Sequence, residues 1–303
     1  MTDSQTQETR CGFVSVVGLP NAGKSTLLNN LVGSKVSIVS RKVQTTRARI
    51  LGIALRDATQ IVLIDTPGIF APKKTLEKAM VSVALSSFDG VEFILHIVDA
   101  AQSKVLEKNQ MMLDALEGHK NVILVLNKID RLSKPELLAQ TQDFNTAFPY
   151  VATFMVSALD GRGVSDLAKY IAENLPEGPW MYPEDQITDM PMRMMAAEIT
   201  REKIFDQLHQ ELPYSIFVET ESWENFDNGS LKISQVVYVG KESQKGIVLG
   251  KGGARIKKIG QVAREELQEM MDTRVHLKIF VKVRENWAER SENYSLFGLE
   301  APS

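Results

Sequence analysis

A chain of 303 residues with 44% hydrophobic content is long enough for two packed cores. Its 35 basic and 38 acidic residues leave a formal charge of -3, so a polyanion must be met by a local basic patch and not by the molecule as a whole. The single cysteine, Cys11, excludes an internal disulfide and fits a reducing cytosol, where it reads as a small apolar residue at the mouth of the first strand.

Residues 1–10 are polar and predict a disordered tail with no signal peptide, and no apolar run approaches the roughly 20 residues that span a bilayer. From residue 11 to 175, apolar strand-like runs at 13–17, 49–55, 60–64, 92–98, 121–126 and 152–156 alternate with helical patterns that follow Lys24, Lys74, Glu107, Pro135 and Val164. This alternation predicts an α/β domain with a mostly parallel six-stranded sheet and helices on both faces. Only Arg56 to Thr59 separate the second and third runs, which makes them an antiparallel hairpin and gives the sheet one reversed edge strand. Ligands of such sheets sit beyond the carboxyl ends of the strands, so chemistry is expected in the loops that follow them.

The first of these loops, Gly18-Leu19-Pro20-Asn21-Ala22-Gly23-Lys24-Ser25, satisfies Gly-x-x-x-x-Gly-Lys-Ser/Thr at every fixed position. It lies between a strand and a helix that begins Ser25-Thr26 and carries Leu27, Leu28 and Leu31 on its apolar face. The glycines let backbone N–H groups wrap phosphates, Lys24 supplies a fixed cation, and the Ser25 hydroxyl suits Mg2+. After the third run comes Asp65-Thr66-Pro67-Gly68, a carboxylate able to hold Mg2+ through water and a bare N–H for the terminal phosphate. Asn127-Lys128-Ile129-Asp130 follows the fifth: the Asp130 carboxylate can accept from N1–H and the exocyclic amine of guanine, a donor pair that adenine lacks, so the loop selects GTP. Ser157-Ala158 follows the sixth and can add a backbone N–H for the guanine oxygen. Plain turn chemistry explains any one of these segments alone, but not four in order on the right strands.

On these motifs residues 12–175 resemble a translation-factor-class GTPase with Asp-Thr-Pro-Gly in its magnesium loop. The resemblance assigns Gln44 to Ala48 to the first switch segment and has Thr45 or Thr46, with Thr46 preferred, reach Mg2+ beside Ser25 and Asp65. Without it the threonine pair reads as the start of an edge strand. Lys24, Thr46 and Gly68 then carry the catalytic roles. Ile69 stands where many GTPases place a water-orienting glutamine, and an aliphatic side chain cannot hydrogen-bond water, so slow hydrolysis is expected. Asn21 resembles the asparagine that helps hold K+ in related GTPases; the other reading is a turn residue.

Proline and glycine over 176–190 predict a linker, after which a new pattern occupies 191–290 ahead of a tail at 291–303. A helix over 192–212, strands at 214–219 and 232–239 around a turn at 225–230, a short helix, Gly250-Lys251-Gly252-Gly253, a helix over 254–271 and a strand over 276–283 together resemble an α+β KH domain of the prokaryotic, type II form. A Gly-x-x-Gly turn of this kind clamps single-stranded RNA through bare N–H groups and a helix N-terminus. Between 241 and 258 six basic residues (Lys241, Lys245, Lys251, Arg255, Lys257, Lys258) face the lone acid Glu242, a local balance of +5 on the phosphate-facing loop. A solvated helix face is the plainer alternative. Ile247, Val248 and Ile256 are expected in the core in preference to contacting bases, although KH grooves are lined by such aliphatics, and the Met111-Met112 and 190–195 methionine groupings read as core filler or an apolar interaction face. His96, His119, His209 and His276 lack metal-ligand spacing.

A GTPase domain joined to such a KH domain closely resembles the bacterial Era family over nearly the whole chain, and Glu211-Leu-Pro-Tyr214 and the stretch 250–260 share that likeness. The resemblance implies a GTP/GDP switch that binds the single-stranded 3′ end of 16S ribosomal RNA and the 30S subunit during assembly, in the cytoplasm, with peripheral contact to the inner membrane for the family as a class. Tandem-GTPase assembly factors are excluded, because only one set of nucleotide motifs is present. Two rivals stand: an RNA-binding module with a merely structural nucleotide domain, against which intact Lys24, Asp65 and Asp130 argue, and a signalling or cell-cycle switch acting on a protein or membrane partner.

Overall fold

The structure is a computed structural model that describes residues 8–40, 46, 49–72, 75–208 and 216–285. Gln44, Thr45, Lys74, His209, Glu211 to Tyr214 and the 291–303 tail lie outside the described residues, as does most of the 1–10 tail. Among the described residues, those up to Ser37 and from Thr46 to Asp189 form one compact unit, and 38–40 with 190–285 form a second.

The first unit runs β1 (Arg10–Gly18), α1 (Lys24–Val32), β2 (Ile50–Arg56), β3 (Thr59–Asp65), α2 (Thr75–Ser86), β4 (Phe93–Asp99), α3 (Val105–Lys108), α4 (Gln110–Leu116), β5 (Val122–Asn127), α5 (Lys134–Ala147), β6 (Ala152–Val156) and α6 (Val164–Asn174). Its sheet has the order β2-β3-β1-β4-β5-β6, with β2 antiparallel to β3 and every other pair parallel. Every residue of β3 and β5 is buried, as a parallel sheet covered on both faces requires. Leu27 and Leu28 of α1 pack with Leu167 and Ile171 of α6 on one face; Ala84 of α2, Met112 of α4 and Phe144 of α5 cover the other. The carboxyl ends of β1, β3, β4, β5 and β6 therefore share one edge.

Three expectations shift in detail. The helix expected after Glu107 is split into α3 and α4, because the buried Asn109 turns inward: its Nδ2 donates to the Val105 carbonyl (2.8 Å) and its Oδ1 sits 3.2 Å from His96 Nε2. The first strand starts at Arg10, ahead of the run expected at 13–17, so Cys11, at its mouth, is its second residue and is buried. The 176–190 stretch is no free tether. Trp180 Nε1 donates to the Ala58 carbonyl (3.0 Å), Gln60 Oε1 accepts the N–H groups of Met181 and Tyr182 (2.9 and 3.0 Å), and Ile53 N–H donates to the Ile187 carbonyl (2.8 Å). The last of these covers part of the edge strand β2, whose open N–H and C=O groups would otherwise be free to pair with another chain.

The second unit runs α7 (Met192–Gln207), β7 (Ile216–Asn225), β8 (Leu231–Val239), α8 (Glu242–Leu249), a 3-10 turn (Lys251–Gly253), α9 (Ala254–Met271) and β9 (Val275–Val283). The sheet order is β7-β8-β9, with β7 antiparallel and β9 parallel to β8. α7 ends at Gln207, earlier than the helix expected over 192–212, where Leu208 turns extended and enters the core. β7 outruns its expected end because its pairing with β8 continues to Asn225 opposite Leu231. Met112, Met190 and Met195 are buried as expected of filler, whereas Met111 and Met192 are exposed.

His96 is fully buried in β4 between Tyr150 and Asn109. Asn109 Oδ1 can only accept, so His96 Nε2 carries the proton and Nδ1 accepts from the Tyr150 hydroxyl at 2.8 Å. Burial lowers its pKa from 6.5 to about 4. The unfolded chain therefore binds more protons between these values, and stability supplied by neutral His96 is lost as pH falls from about 6.5 through about 4, a loss of about 3 kcal/mol. Urea titrations between pH 7 and 4 should show that slope, and His96→Asn should flatten it.

Candidate functional site

The loop between β1 and α1 is shaped by contacts that only glycine satisfies. A Cβ on Gly18 would stand 2.3 Å from the Ile97 carbonyl oxygen, and one on Gly23, at φ 99°, would stand 2.2 Å from the Asn127 amide nitrogen. Between them, Leu19, Pro20, Asn21 and Ala22 form the turn, with Ala22 N–H on the Leu19 carbonyl (3.3 Å) and Asn21 at φ 64°. α1 begins directly after Gly23 with no side-chain cap, so the first-turn N–H groups of Lys24, Ser25 and Thr26 are available to an anion. Lys24 is buried, and its Nζ folds back to the carbonyls of Gly18 and Leu19 (3.3 and 3.2 Å). Burial pulls its pKa down to about 8, against the attraction of Asp65.

Asp65, at the end of β3, is fully buried, and burial raises its pKa against the pull of Lys24. Its Oδ2 accepts from Ser25 Oγ (2.8 Å), Ser37 Oγ (2.9 Å) and Thr46 Oγ1 (3.3 Å), while its Oδ1 has no protein partner. Ser25 and Thr46 hydroxyls lie 3.0 Å apart. Three hydroxyls and a carboxylate, one oxygen of which is buried without a protein partner, form a set of hard donors that fits a small divalent cation. Thr66 Oγ1 is 3.3 Å from the Val16 carbonyl, which seats the turn, and a Cβ on Gly68 would meet Pro20 N at 2.8 Å. Ile69 is buried among Val17, Ala84 and Val98, with its N–H on the Gly18 carbonyl (3.2 Å).

The loop after β5 is braced by Asn127. Its Nδ2 donates to the Ala22 carbonyl (2.8 Å), and its Oδ1 accepts from the N–H groups of Lys128 (2.8 Å) and Ala158 (2.9 Å). Lys128, in the left-handed region, extends Nζ to the Asn21 carbonyl (2.8 Å) and to Asp99 (2.7 Å). Ile129 starts a 3-10 turn that presents Asp130, whose Oδ1 accepts from Ser157 Oγ at 2.9 Å. The phosphate loop, the Asp65–Ile69 turn, the Asn127–Asp130 turn and Ser157-Ala158 thus meet at one sheet edge, with Thr46 among them.

Asp99, Ser37 and Leu159 were not foreseen. Asp99 could have been, since it ends β4 at the same sheet edge. Leu159 is 80% exposed beside Ala158, and an isolated apolar residue in a polar loop was its only signal.

In the second unit α8 ends at Gly250, at φ 72°, where a Cβ would stand 2.7 Å from that of Arg255. Gly252 and Gly253 lie at φ 60° and 78° with open space around each, so the backbone is bare toward solvent. α9 follows with no side-chain cap. Lys251, Lys257 and Lys258 are exposed, whereas Arg255 donates to the Ile247 carbonyl and Lys245 stands 3.7 Å from Glu242. Val248 is buried but Ile247 is 47% exposed, a correction to its expected core position; one helical step turns it about 100° away from the core.

Residues 13–128 match a family model described as a 50S ribosome-binding GTPase, and 211–288 match the KH domain model. GTPase Era of Brucella suis biovar 1 (strain 1330) is 53% identical over 99% of this chain and 97% of its own length; that of Afipia carboxidovorans is 52% identical over 100% and 98%. The chain belongs to the Era family of GTPases. Two solved Era structures each cover 96% of this chain and 99% of their own: an Aquifex aeolicus variant bound to GDP·AlF4−, 40% identical with a TM-score of 0.88, and a complex with MgGDPNP and nucleotides 1506–1542 of 16S ribosomal RNA, 39% identical with a TM-score of 0.89.

With Asp130 in its expected role as acceptor of two guanine donors, Asp130→Asn would put there an amide that can donate to the carbonyl of xanthine. GDP affinity should fall at least about a hundredfold while XDP affinity rises. Competition binding with the two nucleotides measures both.

Proposed function

We propose that this GTPase is a GTP-controlled switch that holds the single-stranded 3′ end of 16S ribosomal RNA in its KH unit during 30S assembly. The observation that carries the reading is the convergence of the four nucleotide loops on one sheet edge in a chain that also presents the bare Gly250–Gly253 backbone flanked by lysines. The Era complex with MgGDPNP and 16S ribosomal RNA supports it. The family model named for the 50S subunit covers the nucleotide domain alone, so the small-subunit assignment rests on that complex.

GTP binds with its phosphates over α1 and its guanine on Asp130, whose carboxylate is oriented by Ser157; Leu159 provides an apolar cover for the base. The Ser25 and Thr46 hydroxyls and the Asp65 carboxylate would hold Mg2+, which would neutralise phosphate charge. Lys24 offsets charge on the bridging and terminal phosphates, and Gly68 N–H faces the terminal one. Ile69 cannot orient water, because its side chain is committed to the core, so turnover is slow. Lys245, Gly250, Lys251, Gly252, Gly253, Arg255, Lys257 and Lys258 form the RNA surface.

No helix among the described residues is long and apolar enough to cross a membrane. A cytoplasmic location with peripheral contact to the inner membrane rests on the family resemblance alone. K+ is the finer part of the cofactor reading. If Asn21 helps hold it, hydrolysis should run faster in KCl than in NaCl at equal ionic strength and Asn21→Ala should erase the difference; equal parent rates would leave Asn21 a turn residue, as its left-handed backbone also suits.

Aspartates at both Lys251 and Gly252 change the turn's charge by -3 and crowd the backbone that must approach phosphate. Single-stranded RNA affinity should fall at least about tenfold with a shallower salt dependence, while GTP binding is retained. RNA binding equal to the parent's would transfer the lead to a switch acting on a protein or membrane partner.

A further inference from the structure

Asn29, past the middle of α1, spends its side chain on the backbone that follows the helix. Its Oδ1 accepts the N–H groups of Val36 and Ser37 (2.9 Å each), and its Nδ2 donates to the Ser37 carbonyl (2.7 Å). All hydrogen-bonding capacity of the amide except one N–H is thereby used to fix two residues. Ser37 is buried, and its hydroxyl donates to Asp65 Oδ2 at 2.9 Å. Neither Asn29 nor Ser37 belongs to a phosphate, magnesium or guanine motif.

A carboxylate oxygen offers two lone pairs, and Asp65 Oδ2 has three hydroxyls within reach. Thr46 is the most distant, at 3.3 Å, and it is the middle residue of the expected switch segment. Ser25 is a cation ligand in its own right. Ser37 alone of the three is held from behind by a second side chain and has no ligand role to perform. It is also the last residue of the first unit before residues 38–40, which group with the second. A donor anchored this way fixes the plane of the carboxylate and leaves the unpartnered Oδ1 free for another purpose.

We propose that Ser37, clamped by Asn29, is the positioning residue that aims Asp65 at the Mg2+ of the bound nucleotide. The proposal rests on the GTP·Mg2+ reading above. Loss of the Ser37 hydroxyl lets the carboxylate rotate, so metal is held less well although every ligand remains.

The test follows release of a fluorescent GDP from the full chain in EDTA and across a Mg2+ titration. Ser37→Ala and Asn29→Ala should each raise the Mg2+ concentration that half-maximally slows release by about tenfold, the loss expected for a hydrogen bond to a charged group. Ser37→Thr keeps the donor and should return the midpoint to within about twofold of the parent. GDP binding in EDTA and a thermal melt report folding; if the alanine variant unfolds, Ser37→Cys keeps the volume, donates only weakly and should shift the midpoint in the same direction. A merely structural Ser37 would lower the melting temperature and leave the Mg2+ midpoint unchanged, which overturns the proposal. A parent that binds GDP without any response to Mg2+ would remove the magnesium reading and the proposal with it, whereas a responsive parent whose variants keep the parent's Mg2+ midpoint removes the role of Ser37 alone.

Discussion

One amide joins most of the nucleotide site. Asn127 reaches the phosphate loop through the Ala22 carbonyl, its own loop through Lys128 N–H, and the loop after β6 through Ala158 N–H. Each of these loops is an irregular segment that would otherwise pay its own ordering entropy, on the order of 1–2 kcal/mol per residue. Sharing a buried donor and acceptor couples them, so the three loops are held in a fixed relation. Gly23 follows from the same constraint: with Asn127 Nδ2 at 2.2 Å from any Cβ, no other residue leaves room for the brace. The brace in turn depends on the strand order, which sets β5 beside β4 and brings its carboxyl end to the edge where β1 ends.

The electrostatics of the phosphate end depend on a second constraint, the burial of opposite charges. Lys24 and Asp65 are both removed from water, and each is pushed toward neutrality while attracting the other toward charge. Such a pair is costly unless its remaining hydrogen-bonding capacity is met. The lysine meets part of its own by folding back on two carbonyls, and the carboxylate meets its own with three hydroxyls, yet Oδ1 is left over. A protein selected for stability alone would do better with apolar residues here. The arrangement is rational for a site that gives its fixed charges to a phosphate and a cation.

How much of this was legible depended on whether the signal was local. Strands such as β5 read directly, because a fully buried parallel strand needs an unbroken apolar run, and its end was marked by Asn127 itself. The meeting of the four loops at one sheet edge was legible for a similar reason: each motif has its spacing fixed within a few residues and directly follows a readable strand. Asn29, Ser37 and Asp99 were not, since each acts through a contact that only the fold creates: Asn29 holds Ser37, whose own partner Asp65 lies 28 residues further along the chain. The split of α3 from α4 was hidden likewise, because Asn109 answers to His96 on another element. Docking of the 176–190 stretch depends on Gln60, whose polar side chain inside an apolar strand gave no hint of a backbone partner far along the chain.

Ile69 shows how the fold and the rate are linked. Its position after Gly68 is where a hydrogen-bonding side chain could assist water, but its burial with Val17 and Ala84 makes it part of the core that supports β1 and α2. Replacing it with glutamine would bury an amide among aliphatic groups or force the turn outward, and an unsatisfied buried amide costs about 1–3 kcal/mol. The same side chain cannot serve both as packing for the strand that launches the phosphate loop and as a handle on water. The slow hydrolysis expected from Ile69 would therefore follow from how the Asp65–Ile69 turn is anchored, and a partner that accelerated it would have to supply the missing group itself or reposition the segment around Thr46.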